Sequence, residues 1–220
     1  MFTTYFSRLE EFVDLPDYNA ILEILLALKI QSKLKRDKKA QKIMISISSA
    51  NDEGYIDRFI DNYYGKKKVE MGIINLPVST KGVNWNLLSK QEKKEFLMEK
   101  WKLLFENLSD DYFLVDKTEV IQSLEKLKNE EWEVFIPLFK KKLNYNKESY
   151  DFSLHLTPEK TDLCLLRLSD NRRFLLKSYE SREIRFESSF KSFNLSDDIL
   201  ILENNSPFLE AEIFDLNRVL

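Results

Sequence analysis

The chain contains one histidine, His155, and one cysteine, Cys164, among 220 residues. Any Ser-His-acid or Cys-His catalytic set would have to use His155, because it is the only imidazole. His155 alternates with apolar residues along residues 150–156, which predicts a position on the polar face of a strand. Cys164 stands in an apolar strand pattern, which is typical of a small core residue. We therefore predict no catalytic residue and no His/Cys metal site.

Paired carboxylates are the other route to catalysis, because two acids can hold Mg²⁺ or share a proton without histidine. Neighbouring residues on a regular element point in different directions, so adjacent acids usually cap helices or face solvent. A site built from Glu53, Asp57 or Glu70 would support an alternative function, a carboxylate-dependent enzyme acting on a nucleotide or nucleic acid. The adjacent acidic pairs are Asp52-Glu53, Asp110-Asp111, Glu130-Glu131 and Asp197-Asp198.

Residues 42–52 read Lys-Ile-Met-Ile-Ser-Ile-Ser-Ser-Ala-Asn-Asp and precede an amphipathic helical pattern. This segment resembles the first strand and helix of TIR-type domains. The resemblance implies cleavage of NAD, which belongs with the enzymatic alternative. It covers these two elements only, and we place no counterpart of the glutamate that such domains carry at the start of a Trp-containing helix. The resemblance therefore assigns no catalytic residue.

Charge is distributed unevenly along the chain, although 34 basic and 37 acidic residues leave a net charge of only −3. From Phe193 to the C-terminus, six acids accompany one basic residue, Arg218. Charge complementarity raises both the rate and the selectivity of protein association, so this segment predicts a surface for a basic protein partner. The residues predicted to contact that partner are Asp197, Asp198, Glu203, Glu210 and Glu212.

A basic run between Lys29 and Lys42 is the second candidate surface, with seven basic residues against Asp37. Such residues can neutralise phosphates, which leaves a nucleic-acid-binding module as a further alternative. No reader motif accompanies the run, and lysines near a helix C-terminus also complement the helix dipole, so we do not expect a nucleic-acid partner. The predicted basic patch consists of Lys33, Lys35, Arg36, Lys38 and Lys39.

Composition limits the remaining function classes. Only four glycines are present, which disfavours a glycine-rich phosphate loop, and a single cysteine fits a reducing compartment. The sequence shows no signal peptide and no apolar stretch long enough to span a bilayer. We predict a cytoplasmic, non-catalytic protein-binding protein with no cofactor and no membrane partner. Small acidic immunity proteins share this general profile, so occlusion of a toxin by the acidic surface is the specific form predicted.

Residues 1–145 are predicted to form a helix-rich part that contains a βαβ unit. Apolar spacing predicts a helix over residues 5–13, ended by Pro16, and a second helix capped by Asp17. Strands at 42–48 and 68–76 enclose a helical pattern at 56–63. This is the length of a βαβ unit, whose strands are parallel by default.

Two further helices carry start signals. Ser89 and Glu92 have the spacing of a capping box, and so do Asp116 and Glu119. A short strand is predicted at 112–115, and a helical pattern at 132–143 must bend or restart at Pro137.

After residue 145 the apolar period becomes two. Five or six short strands with local turns predict an antiparallel meander, with a hairpin turn at residues 169–172. The last strand carries Leu209, Ala211 and Ile213 on one face. The predicted fold class is α+β, in one compact domain over 1–220 or in two packed subdomains, 1–145 and 146–220.

Overall fold

A computed structural model of the chain describes residues 2–6, 14–35, 42–48, 73–180 and 189–220. The chain divides into an N-terminal unit, Met1–Trp132, and a C-terminal unit, Glu133–Leu220. The N-terminal unit combines helices with a parallel sheet. The C-terminal unit contains two antiparallel sheets and a short helix. The α+β class and the antiparallel meander predicted from the apolar period are therefore confirmed.

The sheet of the N-terminal unit has the order β1-β2-β3, and both neighbouring pairs are parallel. The parallel pairing of β2 with β3 confirms the default expected of a βαβ unit. The helix predicted at 56–63 lies outside the described residues. The strands are β1 (Phe2–Phe6), β2 (Lys42–Ser48) and β3 (Ile73–Ser79).

Strand β1 replaces the beginning of the predicted N-terminal helix, so that prediction is wrong for residues 5 and 6. The strand reads Phe-Thr-Thr-Tyr-Phe, and β-branched and aromatic residues suit a pleated surface. Pairing with β2 gives backbone N–H and C=O groups of β1 hydrogen-bond partners, whereas a short helix would leave many of these groups unpaired at its two ends. Residues 7–13, the rest of the predicted helix, lie outside the described part of the chain.

The described part of this unit also contains three α-helices: α1 (Leu15–Lys29), α2 (Lys90–Asn107) and α3 (Lys117–Asn129). Pro16 lies in the first turn of α1, which needs no proline N–H, and α1 begins at Leu15 after Asp14, so the cap predicted at Asp17 is wrong. The capping box of α2 is confirmed: Ser89 Oγ accepts from the Glu92 N–H at 3.3 Å, and Glu92 Oε2 accepts from the Ser89 N–H at 2.8 Å.

Two short segments of the N-terminal unit differ in detail from prediction. Asp116 caps α3 as expected. Its carboxylate accepts from the Thr118 N–H at 2.8 Å, whereas a capping box would use the Glu119 N–H. The strand predicted at 112–115 is instead a 3₁₀ turn, Asp110–Tyr112, followed by a single bridge between Phe113 and Leu34. One bridge satisfies too few backbone groups to form a strand.

The larger sheet of the C-terminal unit has the order β4-β6-β7-β8, and β5 also pairs with β6. The hairpin turn predicted at 169–172 joins β7 to β8, and Asn171 adopts a φ of 59° there. The strands are β4 (Val134–Pro137), β5 (Leu143–Tyr145), β6 (Glu148–Leu156), β7 (Lys160–Arg167) and β8 (Arg173–Glu180).

Strands β4 and β5 lie where a helix was predicted over 132–143, and that prediction is wrong. Pro137 is the last residue of β4, a position where a sheet tolerates its missing N–H. Trp132 belongs to neither strand; it follows α3, and its indole N–H donates to the carbonyl of Leu127 in the last turn of that helix at 2.9 Å. Apolar spacing over so few residues fits either period, so pairing with β6 decides the outcome.

The smaller sheet has the order β11-β10-β9, with antiparallel pairs throughout. One side of it packs in the core of the C-terminal unit, where Phe193 of β9 meets Phe152 of β6 at a ring distance of 4.6 Å. Leu200 and Leu202 of β10 are fully buried on that inner side. The elements are β9 (Phe190–Ser196), β10 (Ile199–Asn204), β11 (Glu212–Asp215) and helix α4 (Leu216–Val219).

Candidate protein-binding face

The side of the smaller sheet turned away from that core carries exposed apolar residues. Strand alternation puts Ile199 and Ile201 on the side opposite to the buried leucines of β10. Ile201 lies directly opposite Ile213 of β11, which is 65% exposed, and Ile199 is 38% exposed. We call this side the outer face; its residues are Ser192, Asn194, Ser196, Ile199, Ile201, Glu203, Ile213 and Asp215.

The loop that joins β10 to β11 presents a further aromatic residue at one end of this sheet. Phe208 is 93% exposed, and Leu209 beside it is 42% exposed. The loop is held by hydrogen bonds: the Asn205 N–H donates to the Ser189 carbonyl at 2.8 Å, and the Asn204 side chain donates to the Glu210 carbonyl. Phe208 is therefore displayed on an anchored loop.

Three of the predicted acids lie at exposed or outward positions. Asp197 is exposed in the turn between β9 and β10, where its φ is 53°. Glu203 lies on the outer face near the other end of β10, and its carboxylate accepts from Ser192 Oγ at 2.7 Å. Glu210 is exposed in the loop after β10. These acids flank the apolar middle of the outer face along the direction of β10.

The other two predicted acids are used within the C-terminal unit. Glu212 lies opposite Leu202, on the inner side, and its carboxylate binds Lys177 Nζ at 2.7 and 2.9 Å. Asp198 accepts from the Tyr145 hydroxyl at 2.7 Å; that bond and one to Asn217 lower the pKa of its carboxyl. The structure thus brings only part of the predicted acidic set to the exposed surface.

Three residues of this site are absent from the set predicted from the sequence. Phe208 and Ile213 carry its exposed apolar area, and Asp215 adds an acid at the end of β11. Asp215 caps α4 and forms an ion pair with Arg218 at 3.2 Å. A signal for Phe208 does exist, because an aromatic residue after Asn-Asn-Ser-Pro stands in a turn, where burial is rare.

The predicted basic patch is described only in part. Lys33 Nζ donates to Ser123 Oγ of α3 at 2.7 Å, so this lysine contacts the N-terminal unit's own helices. Lys35 is exposed, and its backbone N–H donates to the Tyr112 carbonyl at 2.8 Å. Arg36, Lys38 and Lys39 lie outside the described residues.

His155 lies on the polar side of β6, and its ring contacts two carboxylates and one aromatic ring. Its Nε2 is 2.7 Å from Glu133 Oε2, its Nδ1 is 4.0 Å from Asp162 Oδ2, and its ring stacks on Phe135 at 4.3 Å. Both ring nitrogens therefore face carboxylates, and among the described residues no hydroxyl or thiol forms a hydrogen bond with the ring. This arrangement links β4 and β7 to the strand between them.

Cys164 lies on the same side of the larger sheet, opposite Ser153 and one diagonal step from His155. It is only 7% exposed, and burial, followed by the nearby Asp162 charge, raises the pKa of its thiol. Asp162 itself is held by Lys160 at 2.7 Å and by the Ser178 hydroxyl. A buried thiol with a raised pKa is a poor nucleophile.

The residues of the enzymatic alternative, Glu53, Asp57 and Glu70, fall outside the described residues. Across the ranges that are described, no three His, Cys, Asp or Glu side chains are grouped so as to hold a metal ion. No helix in those ranges has the length and apolar character needed to cross a membrane. Comparisons with models of protein families and with curated protein sequences find no match to this chain.

Proposed function

We propose that the chain is a non-catalytic protein-binding protein whose outer face and β10–β11 loop dock on a basic region of another protein. The observation that carries this proposal is the exposure of Phe208, at 93%, on a loop anchored at both ends. Exposed aromatic side chains that are held in place are typical anchors of protein interfaces. Ile213 and Ile199 add apolar area beside it.

The charges near this apolar area favour a basic partner. Asp197 and Glu210 are exposed at opposite ends of β10, and Glu203 lies on the outer face between them. Lysine or arginine residues around an apolar pocket of the partner would pair with these acids while the pocket takes the Phe208 ring. An intracellular basic toxin occluded by this surface is the specific partner we propose.

Site-specific photo-crosslinking tests the proposal. A benzophenone amino acid replaces Phe208 in one variant and Ile213 in a second. A third variant carries it at Leu87, which is 80% exposed but lies in the N-terminal unit, and serves as the matched control. Each variant is irradiated in a lysate of the native host at low and at high salt, and the adducts are identified by mass spectrometry.

We expect one protein, with an isoelectric point above about 9, to be captured at positions 208 and 213 but not at 87. The yield of the crosslinked adduct should fall at high salt, because salt screens the attraction between exposed charges. Equal capture at all three positions, or capture of an acidic protein only, would count against a basic partner at this face.

A further inference from the structure

Strand β11 is an edge strand of unusual composition. Among the described strands it pairs with β10 alone, and its four residues read Glu-Ile-Phe-Asp. It contains no proline, lysine or arginine, and its register with β10 is uninterrupted. Edge strands expose unpaired N–H and C=O groups, which can accept another chain as an additional strand.

The other edges of the two sheets in this unit are protected in the ways that natural sheets use. β4 ends in Pro137, and β8 carries Arg173 and Lys177. β9 carries Lys191, and its pairing with β10 shifts register next to Glu203. β5 has only three residues. Within the described part of this unit, β11 lacks these particular devices; its own protection consists of its four-residue length and its two acids, of which Glu212 faces inward, and acids do not repel a basic segment.

We infer that the basic partner binds as an additional β-strand along the free edge of β11. This inference rests on the proposed function and specifies how the outer face would recognise its partner. Main-chain hydrogen bonds to β11 would supply affinity, and alternate side chains of the added strand would extend the row formed by Asn194, Ile201 and Ile213. An apolar side chain fits beside Ile213, since that residue is 65% exposed.

The acidic charge of residues 193–220 favours binding of a basic segment at β11 over binding of a second copy of this chain. Residues 193–220 contain six acids and one arginine, so joining two β11 strands would bring two acidic segments together. A lysine-flanked segment would instead place its charges near the exposed Glu210 at one end of the strand. At the other end it would compete with Arg218 for Asp215, since those two residues form an ion pair at 3.2 Å. The added strand is thus expected to carry an alternating apolar centre and basic ends.

Fluorescence anisotropy with defined peptides tests this mode of binding. The probe is a fluorescein-labelled peptide, Lys-Lys-Val-Thr-Val-Thr-Val-Lys-Lys. One control replaces all four lysines by glutamate. A second control consists of two peptides of the same sequence, each N-methylated at alternate residues, with the two peptides modified at complementary positions. Alternate N–H groups of a strand point to opposite edges, so one of the two peptides lacks the N–H groups that would face β11. All are titrated into the full chain at low salt.

For strand addition, we expect the parent peptide to bind and one N-methylated version to bind about tenfold more weakly or worse, because the hydrogen-bonding edge is lost. The glutamate peptide should not bind. Hydrogen exchange should show new protection of those amides in Glu212–Asp215 that point away from β10. The variant Ile213→Lys, which adds the protection seen on other edges, should weaken binding, and Ile213→Val should retain it.

Other outcomes overturn the inference in distinguishable ways. If the parent and both N-methylated peptides bind equally and Ile213→Lys weakens all three, strand addition is wrong but a basic partner at the outer face stands. If no peptide binds while position 208 captures a basic protein, strand addition to β11 is likewise wrong, and a basic partner at the outer face still stands. If wild-type chain self-associates in sedimentation equilibrium and Ile213→Lys does not, the occupant of β11 is a second copy.

Discussion

The hydroxyl of Tyr145 donates to Asp198 Oδ1 at 2.7 Å and so links β5 of the larger sheet to the turn before β10. The same turn receives a second bond, from the Leu216 N–H to the Asp198 carbonyl at 2.8 Å. Asp197, the neighbouring residue, has a positive φ and an exposed carboxylate. The position of one acid of the proposed interface therefore depends on a hydrogen bond made by the residue beside it.

Tyr145→Phe should destabilise the C-terminal unit, because it removes the main hydrogen bond to the Asp198 carboxylate. That bond lowers the pKa of Asp198, so its contribution is present above the unfolded pKa of ~3.9 and is lost as pH falls through the folded pKa. Urea unfolding followed by tyrosine near-UV circular dichroism should show a lower midpoint for Tyr145→Phe at pH 7 and a smaller difference in acid.

Tyr150→Phe is the matched control for that experiment. Tyr150 is buried in the same unit, its ring packs on Phe174, and its hydroxyl takes no part in the Tyr145–Asp198 contact. Its midpoint should stay close to that of the wild type. An equal loss in both variants would show that the hydroxyl of Tyr145 has no particular role.

Asp170→Asn should change the acid sensitivity of the hairpin between β7 and β8. Arg167 holds the Asp170 carboxylate with two bonds, at 2.9 and 2.6 Å, and lowers the pKa of Asp170 to about 2. A lowered pKa stabilises the fold above the unfolded value of ~3.9, and the gain disappears as pH falls toward 2. The wild type should unfold at a higher urea concentration than the variant at pH 5, and the difference should shrink steadily as pH falls from about 4 toward 2.

High salt should reduce that difference, because both partners are partly exposed. Asparagine keeps a side-chain oxygen that can accept from the Arg172 N–H, so the turn itself should persist. A difference that is unchanged from pH 5 to pH 2 would assign the effect to turn geometry instead of charge.

Ser89→Ala should destabilise the N-terminal unit by about 1 kcal/mol, since it removes the side-chain acceptor at the start of α2. All three tryptophans, Trp85, Trp101 and Trp132, belong to this unit, so tryptophan fluorescence during urea unfolding reports on it selectively. Ser89→Asn, which keeps a capping oxygen, should restore most of the loss. Equal destabilisation by both variants would refute the capping role.

Cys164 should react slowly with a thiol reagent such as DTNB at pH 8. Its side chain is buried, and burial raises the pKa of the thiol, so little accessible thiolate is present in the folded chain. Urea that unfolds the C-terminal unit should bring the reaction to the rate of free cysteine. Fast labelling of the native chain would mean that the side of the larger sheet that carries Cys164 opens readily to solvent.

Local signals predicted those parts of the fold whose determinants lie close together in sequence. The Ser89–Glu92 capping box needs only four residues, and the alternating apolar residues of β2 and β6 specify strands without knowledge of any partner. The parallel arrangement of β2 and β3 followed from the length of chain between them.

Segments whose state depends on a distant partner were predicted poorly. β1 and β4 are five and four residues long, and each exists because it pairs with a strand far away in sequence. Apolar spacing over so few residues fits a helix as well as a strand, because both periods place the same residues on one side. Their state is decided by backbone pairing.

Composition alone sets how many acidic and apolar residues the C-terminal segment contains, whereas strand pairing assigns each of them to one side of the sheet. A strand of period two can present either alternate set to solvent. Registration with β10 places Glu212 opposite buried Leu202, where Lys177 neutralises it, and Ile213 opposite Ile201 on the outer face. A one-residue shift would reverse both, because neighbouring side chains of a strand point to opposite sides.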